Sequence, residues 1–364
     1  MNVLLLAGDG RGLLEIVPLH SAMQQRNMRG HVVYAGGPIE TRLQHGVYRE
    51  LGASQPELTL HIDAVSDAQG IARAAEQFSE HLESNEPDAV AVSGASDPVL
   101  ACCLAAARRG VPIIRLDAGR RGETRGQRIH VILDRLAEHL FVSDPEAMAA
   151  LLGEGISKES ATFVGNLFTD AVARLLDAER IERLLSVFNL KGQAFALVYL
   201  EEWRGRRTAA IELLQSVADH IQVVHLVDSM LEPLPALPGV RTIASDSLRE
   251  LLILVESARM VITDADLVQE AAAFREVPCL TVGRPVVREV TVTSGCNRTV
   301  PFNPPEAARR VRHLLDESHA CSAPPLWDGA VADRIVDVLV RGYGQRLAQW
   351  IAEYFIERHR ARRS

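Results

Sequence analysis

The feature that most constrains this chain is a twofold alternation of short apolar runs with amphipathic ones. Residues 3–6 form an uninterrupted apolar run that meets Ala7-Gly8-Asp9-Gly10, and residues 13–26 follow with helical spacing. The strand signature returns at 32–34, 89–92 and 112–116, with helical stretches at 71–82 and 98–109. A second round begins at 195–200. It continues through a helix at 208–220, a strand at 223–227, a helix at 247–257, a strand at 260–263, a helix at 267–275 and a strand at 279–282. Strands alternating with helices predict parallel sheets with right-handed crossovers. The expected fold class is therefore α/β, with two Rossmann-like domains facing a cleft. Residues 171–191 read as one charged helix between the halves. The division expected is 1–185, 186–340 and a C-terminal basic amphipathic helix over 341–364.

Composition removes several function classes. At 364 residues and 47% hydrophobic the chain can bury two cores. Aromatics make up only 5% and the formal charge is −8, so neither a stacking platform nor a generally basic face for nucleic acid is expected. The five cysteines are odd in number and form no CxxC pair. That spacing predicts no zinc site and no disulfide framework, and points to reduced thiols in a cytoplasmic protein. Cys102 and Cys103 read as core packing in an Ala-rich helix. No run approaches the ~20 apolar residues of a membrane span, and no basic-plus-apolar leader opens the chain. No cofactor is expected: the sequence shows no metal site, and the first glycine loop lacks the full GxGxxG spacing of a dinucleotide site. In the tail, Trp350, Ile351, Tyr354, Phe355 and Ile356 are interspersed with arginines, and four of the last seven residues are Arg. Such a helix packs on the first domain, pairs two copies into a homodimer, engages another protein, or lies on an anionic membrane.

In open parallel sheets ligands bind beyond the carboxyl ends of the strands. Four strand-end loops qualify: 8–12, 93–97, 117–121 and 264–267. Asp117 is a candidate acid/base there, or a turn-forming residue. Arg120, Arg121, Arg125 and Arg128 can grip phosphate or carboxylate through the planar guanidinium fork, or merely form a solvated loop. His130 and Asp134 lie four apart on a predicted helix and are expected to pair. Asp266 has a second reading as a helix N-cap, and Glu270 as a surface helix residue. Arg288 and Glu289 are placed beside the cleft, and Glu201 is a candidate replacement acid/base.

Several segments, taken in order, resemble the non-hydrolysing UDP-N-acetylglucosamine 2-epimerases. Gly8-Asp9-Gly10-Arg11-Gly12 stands where that family has a Gly-Thr-Arg-Pro-Glu loop. Ser93-Gly94-Ala95-Ser96 corresponds to a His-Gly-Asp-Thr turn, and Leu116-Asp117-Ala118-Gly119-Arg120-Arg121 to Val-Glu-Ala-Gly-Leu-Arg. Asp134-Arg135-Leu136-Ala137 and Gly165-Asn166 with Asp170 follow. Thr263-Asp264-Ala265-Asp266-Leu267-Val268-Gln269-Glu270 resembles Thr-Asp-Ser-Gly-Gly-x-Gln-Glu, and Arg288 through Gly295 resembles the segment carrying Glu-Arg-Pro-Glu. Asp328-Gly329-Ala330 with Asp333-Arg334-Ile335 resembles the closing motif. The resemblance implies a glycosyltransferase-B type fold, a UDP-sugar ligand, and inversion at C2 by elimination and readdition of UDP. It also implies an Asp, two Glu and a His at the site, and a basic pair in the first loop.

This chain departs at most of those positions. Ala95 replaces the Asp of the turn, Asp117 replaces a Glu, and 125–130 retains no Glu. Glu201 stands where the His is expected, and Gly10 and Glu15 occupy the basic positions, with Arg11 adjacent. The expected phosphate contacts are Arg11, Arg120 and Arg121. Asp264, Ala265, Asp266, Glu270 and Arg288 are expected around the nucleotide. Three functions stay open: a divergent epimerase, a non-catalytic binding or assembly partner, and a glycosyltransferase.

Overall fold

The computed structural model describes all residues except 61–67, 122–124, 202–203, 230–233, 285, 287, 317–320 and 342–364. The expected C-terminal amphipathic helix thus lies outside the described residues. Two compact units form, neither continuous in sequence. The first takes Met1–Glu40, Ala53–Ala171 and the chain from Gly329 onward; the second takes Thr41–Gly52 and Val172–Asp328. The cut expected at 185 and the domain end at 340 therefore differ from the observed partition. Linear sequence does not reveal that residues 41–52 leave the first unit, or that the last helix joins it.

The first unit carries β1 (Asn2–Ala7), β2 (Arg29–Tyr34), β3 (Leu58–Thr59), β4 (Ala89–Ser93), β5 (Ile113–Ala118), β6 (His139–Val142) and β7 (Ala161–Phe163). All pair in parallel, in the order β3-β2-β1-β4-β5-β6-β7. Its helices are α1 (Gly10–Gln25), then α3 (Ala68–Asn85), α4 (Asp97–Arg108), α5 (Arg125–Leu136) and α6 (Pro145–Gly153); α2 (Thr41–Gln44) belongs to the second unit. Ala74, Phe78 and Leu82 of α3, Val99, Cys102, Cys103 and Ala106 of α4, and Leu133 of α5 pack with Leu4, Leu6, Val90 and Val92 of the sheet. Each such aliphatic side chain contributes roughly 1.5–3 kcal/mol by leaving water. Cys102 and Cys103 are thus core residues, as expected, and burial pushes the Cys103 thiol up to about 12.

The stretch expected as one helix over 171–191 is two. α7 (Phe168–Leu175) ends, and α8 (Ala178–Val187) restarts after Asp177, whose carboxylate accepts the Arg180 N–H at 2.9 Å. An N-cap Asp competes locally with helix continuation, which a periodicity count cannot register.

The second unit holds β8 (Phe195–Tyr199), β9 (Gln222–Val227), β10 (Val240–Ala244), β11 (Met260–Thr263), β12 (Cys279–Val282) and β13 (Asn297–Val300), again parallel, in the order β10-β9-β8-β11-β12-β13. α9 (Arg207–Ala218), α10 (Leu248–Ser257), α11 (Asp266–Phe274), α12 (Val290–Thr293) and α13 (Pro304–Asp316) complete it. The inserted segment is anchored by two charges. The Glu50 carboxylate accepts the Arg249 N–H at 2.8 Å in the first turn of α10 and the Ser247 hydroxyl. Arg42, buried, donates to the carbonyls of Ser245 at 2.6 Å and Ser247 at 2.9 Å, and to Asp228 at 2.5 Å.

The last helix, α14 (Val331–Arg341), packs on α1. The Asp170 carboxylate accepts the N–H groups of Val331 at 3.0 Å and Ala332 at 2.9 Å, and Arg334 donates to the Val164 carbonyl at 2.8 Å. Two segments singled out in the sequence, Gly165-Asn166 with Asp170 and the closing Asp333-Arg334-Ile335, therefore meet as a helix cap.

One sequence expectation is overturned. Cys296 and Cys321 form a disulfide across 25 residues, while Cys102, Cys103 and Cys279 are free and buried. Nothing in the spacing of two distant cysteines signals their approach; packing of the second unit brings them together.

Candidate functional site

Each sheet reverses its strand order once, between β1 and β4 in the first unit and between β8 and β11 in the second. Such switch points open a crevice at the carboxyl edge, and the predicted residues gather around these two places.

In the first unit the crevice is built by close backbone approach. The Gly8 N–H donates to the Ser93 carbonyl at 2.9 Å. Gly94 has φ +88°, and a Cβ there would lie 3.1 Å from the Gly8 Cα. Asp9 caps α1 by accepting the Gly12 N–H at 2.7 Å, and Ser96 caps α4. Glu15, only 2% exposed, accepts the Ser93 hydroxyl at 2.6 Å and pairs with Arg11 at 3.2 Å. Arg11 also lies over the Phe168 ring at 5.3 Å. The predicted phosphate contact Arg11 is thus at the crevice but carries its own counter-charge.

The end of β5, where the pairing with β6 shifts register between Arg115 and Ala118, and the turn after it form the most constrained part of the crevice. Asp117 has φ +54° and Gly119 φ +86°. A left-handed conformation at a non-glycine residue costs of order 1–3 kcal/mol and persists only where the surroundings over-determine it. Asp117 faces Arg120, with 3.4 Å between the charged atoms. Arg121 is a fork between two carboxylates, Glu154 at 2.6 and 2.9 Å and Asp134 at 2.8 Å. Asp134, 1% exposed, also accepts the Gly119 N–H at 3.1 Å and lies 3.7 Å from the guanidinium of fully buried Arg115.

The expected His130–Asp134 pair is not made. Both side chains turn to Arg115 instead, His130 Nδ1 lying 2.9 Å from its guanidinium. Burial, reinforced by Arg115, Arg120 and Arg121, pushes His130 down to about 3, so the ring is neutral at pH 7. Residues 122–124 of the predicted basic loop lie outside the described residues, Arg125 begins α5, and Arg128 is exposed on that helix.

In the second unit, the Glu201 N–H donates to the Asp264 carboxylate at 2.7 Å, joining the loops after β8 and β11. Asp264 is buried. The Ala265 N–H donates to the Thr263 hydroxyl at 3.0 Å. The N-cap of α11 is Ala265, with no side-chain cap, and Asp266 is the first helical residue. The N-cap reading of Asp266 is therefore off by one position, and its charge sits in the first turn. Glu270 is not a surface residue: it is 1% exposed and pairs at 2.9 Å with buried Arg288, which lies 5.9 Å from the Trp327 ring. Glu201 itself is exposed, 3.6 Å from Arg284. Arg42 stands over Tyr199 at 5.2 Å, and burial pushes that phenol up to about 12.

A profile of the family described as UDP-N-acetylglucosamine 2-epimerase matches residues 21–340. The chain belongs to that family. It is 24% identical over 365 aligned residues to the UDP-N-acetylglucosamine 2-epimerase of Methanocaldococcus jannaschii, covering 94% of this chain and all of that one. It is also 24% identical to the UDP-2,3-diacetamido-2,3-dideoxy-D-glucuronate 2-epimerase of Pseudomonas aeruginosa, over 94% of this chain and all of that protein. The crystal structure of the M. jannaschii enzyme in complex with UDP-GlcNAc and UDP superposes with a TM-score of 0.77 at 22% identity, covering 93% of this chain and 99% of that one. The α/β fold of two parallel sheets is therefore that of the 2-epimerases, which is of glycosyltransferase-B type.

Sequence reasoning missed Glu15 as a partner of Arg11 and Ser93, although the i,i+4 spacing of Arg11 and Glu15 was visible. It missed Glu154, Arg42 and Trp327 entirely, because each reaches its partners from a distant element. Among the described residues no group of three His, Cys, Asp or Glu is arranged to hold a metal ion, and no helix is long and apolar enough to cross a membrane.

Proposed function

We propose that this family member binds a UDP-sugar and inverts C2 of a UDP-N-acetylhexosamine or a modified relative, with Asp117 as acid/base. The observation that carries this reading is the left-handed Asp117 at the carboxyl end of β5, held where the resemblance calls for a carboxylate. Strain retained at a strand end is a recurrent mark of a functional position. In this reading Asp117 exchanges a proton at the sugar, with Glu201 as the second candidate carboxylate. Arg11, Arg120 and Arg121 balance phosphate charge. The first-turn amides of α11, with Asp264 and Ala265 setting their approach, donate to the UDP moiety, and Glu270 and Arg288 stand behind them. Asp266 opposes a phosphate: two unit charges at 4 Å repel by about 4 kcal/mol at an intermediate dielectric. The relative of P. aeruginosa, whose name describes a modified UDP-sugar, supports testing modified sugars.

A second reading, a non-catalytic binding or assembly partner, is favoured by one set of observations. Arg11, Arg121 and Arg288 all have carboxylate partners within the protein. Calorimetric titration with UDP and a panel of UDP-sugars, followed by turnover in heavy water, separates the readings. Binding with deuterium incorporated at C2 is expected. Binding without exchange supports the second reading, exchange-free transfer to an added acceptor supports a glycosyltransferase, and no binding by any nucleotide removes all the sugar-nucleotide readings.

A further inference from the structure

Asp134 contributes nothing to the capping or surface of its own helix. Its carboxylate is buried, and its partners among the described residues come from β5 and the turn that follows: the Gly119 N–H at 3.1 Å, the Arg121 guanidinium at 2.8 Å and, at 3.7 Å, Arg115. A second brace acts on the same loop from α6. A Cβ on Gly119 would lie 2.5 Å from the Ala147 carbonyl, so the loop backbone presses directly on that helix. Beyond the helix end, Glu154 takes the other two nitrogens of Arg121. Arg121 holds the Glu154 carboxyl below the usual carboxylate range, consistent with a persistent pair. The loop 117–121 is thus clamped between α5 and α6. Its two left-handed residues, Asp117 and Gly119, lie inside the clamp.

A chain released from these contacts would return Asp117 mostly to negative φ, because the left-handed region, which Asp tolerates better than most residues, still costs more than the ordinary ones. That rotation would swing the carboxylate away from its present direction beside Arg120. We propose that Asp134 is a positioning residue for Asp117, acting through Gly119 and Arg121. This inference rests on the acid/base reading of Asp117 only for its catalytic consequence; the clamp itself is independent of it.

The test combines kinetics with amide exchange on the full chain. Asp134→Ala, and the shape-conserving Asp134→Asn, are compared in the natural and Asp117→Asn backgrounds. Turnover is expected to fall by about tenfold or more in Asp134→Ala, while the KM for UDP-sugar and the Kd for UDP shift by less than that, Arg121 keeping Glu154 as its other partner. Asp134→Asn keeps an acceptor for Gly119 and is expected to recover part of the loss. In the Asp117→Asn background the same substitutions are expected to cause no further loss, since coupled residues are non-additive. Amide exchange in the peptide spanning 117–121 is expected to speed up by about tenfold or more in Asp134→Ala, since the Gly119 N–H loses its acceptor. Additive kinetic losses in the double variant, or unchanged exchange at 117–121, would overturn the inference. If the natural protein shows no turnover, the acid/base reading fails and the exchange measurement alone decides the clamp. Should Asp134→Ala not fold, Asp134→Asn and Glu154→Gln carry the same comparison.

Discussion

The two crevices solve the same problem in opposite ways. In the first unit the end of β5 and the turn after it are strained and braced by buried charge, with Asp134, Arg115, Arg121 and Glu154 in one connected group. In the second unit the loop after β11 is relaxed: Ala265 has an ordinary extended conformation, φ −91° and ψ 125°, and leaves the start of α11 without a side-chain cap. A braced, strained carboxylate suits a group that must meet one atom in one direction. An open helix start suits a ligand recognised through backbone N–H groups. In the proposed reading, the same parallel-sheet grammar places a chemical element in one unit and a binding element in the other.

The largest effects that sharpen this comparison come from breaking buried pairs. Glu270→Ala in the second unit should cost about 3–5 kcal/mol of unfolding free energy, because it removes a buried carboxylate partner from the buried Arg288 guanidinium. Replacing both Glu270 and Arg288 by apolar residues should cost much less. Urea unfolding followed by circular dichroism measures both, and a double variant as damaged as the single would refute this account.

Next in size is the disulfide. Closing a 25-residue loop through Cys296 and Cys321 should stabilise the second unit by about 3 kcal/mol, so the paired Ser variants should lower its thermal midpoint. Calorimetry with and without a dithiol reductant checks this, and the reductant should leave the Ser variants unchanged.

Acid acts on both units, with a smaller effect per pH unit. His130 and His225 are both held neutral by burial, at about 3 and about 4. The unfolded chain therefore binds protons that the folded one refuses between pH 6.5 and those values. Stability should fall as pH drops through that window, by at most about 1.4 kcal/mol per unit for each histidine. His130→Gln should flatten the slope down to about pH 3 and His225→Gln only down to about pH 4, read as unfolding midpoints against pH.

The smallest effects contrast the loops directly. Asp117→Gly relieves a left-handed residue and should stabilise by about 1 kcal/mol or less while abolishing C2 exchange. Ala265→Asp adds negative charge at the phosphate end and should weaken UDP binding, and because Ala265 is buried it should also lower stability rather than supply a useful cap. Thermal midpoints paired with UDP titration measure both, and a gain in UDP affinity for Ala265→Asp would sink the proposed use of that helix start.

The strands expected at 260–263 and 279–282 appear with those bounds, and the helices at 208–220 and 267–275 shift by one or two residues. Apolar periodicity carries that information locally. β3 and β10, short or half-exposed, left no comparable mark. At the site, the strand-end rule placed Asp117, Asp264 and Ala265 at carboxyl edges, while Glu201 was reached through the family resemblance. It could not tell which arginines face outward. Arg121 and Arg288 were read as ligand contacts, and their partners Glu154 and Glu270 lie 33 and 18 positions away in the chain, respectively.

By itself, then, the sequence determined the alternation of strands and helices, the two parallel sheets, and the loops where chemistry is placed. These depend on hydrophobic period and turn residues, which act over a few positions. Tertiary structure alone decided the exchange of residues 41–52, the docking of α14 through Asp170, the Cys296–Cys321 bond and the clamp on Asp117. Each of these is a contact between groups distant in the chain. Its free energy depends on burial and geometry, which exist only once the sheets have formed and set those groups side by side.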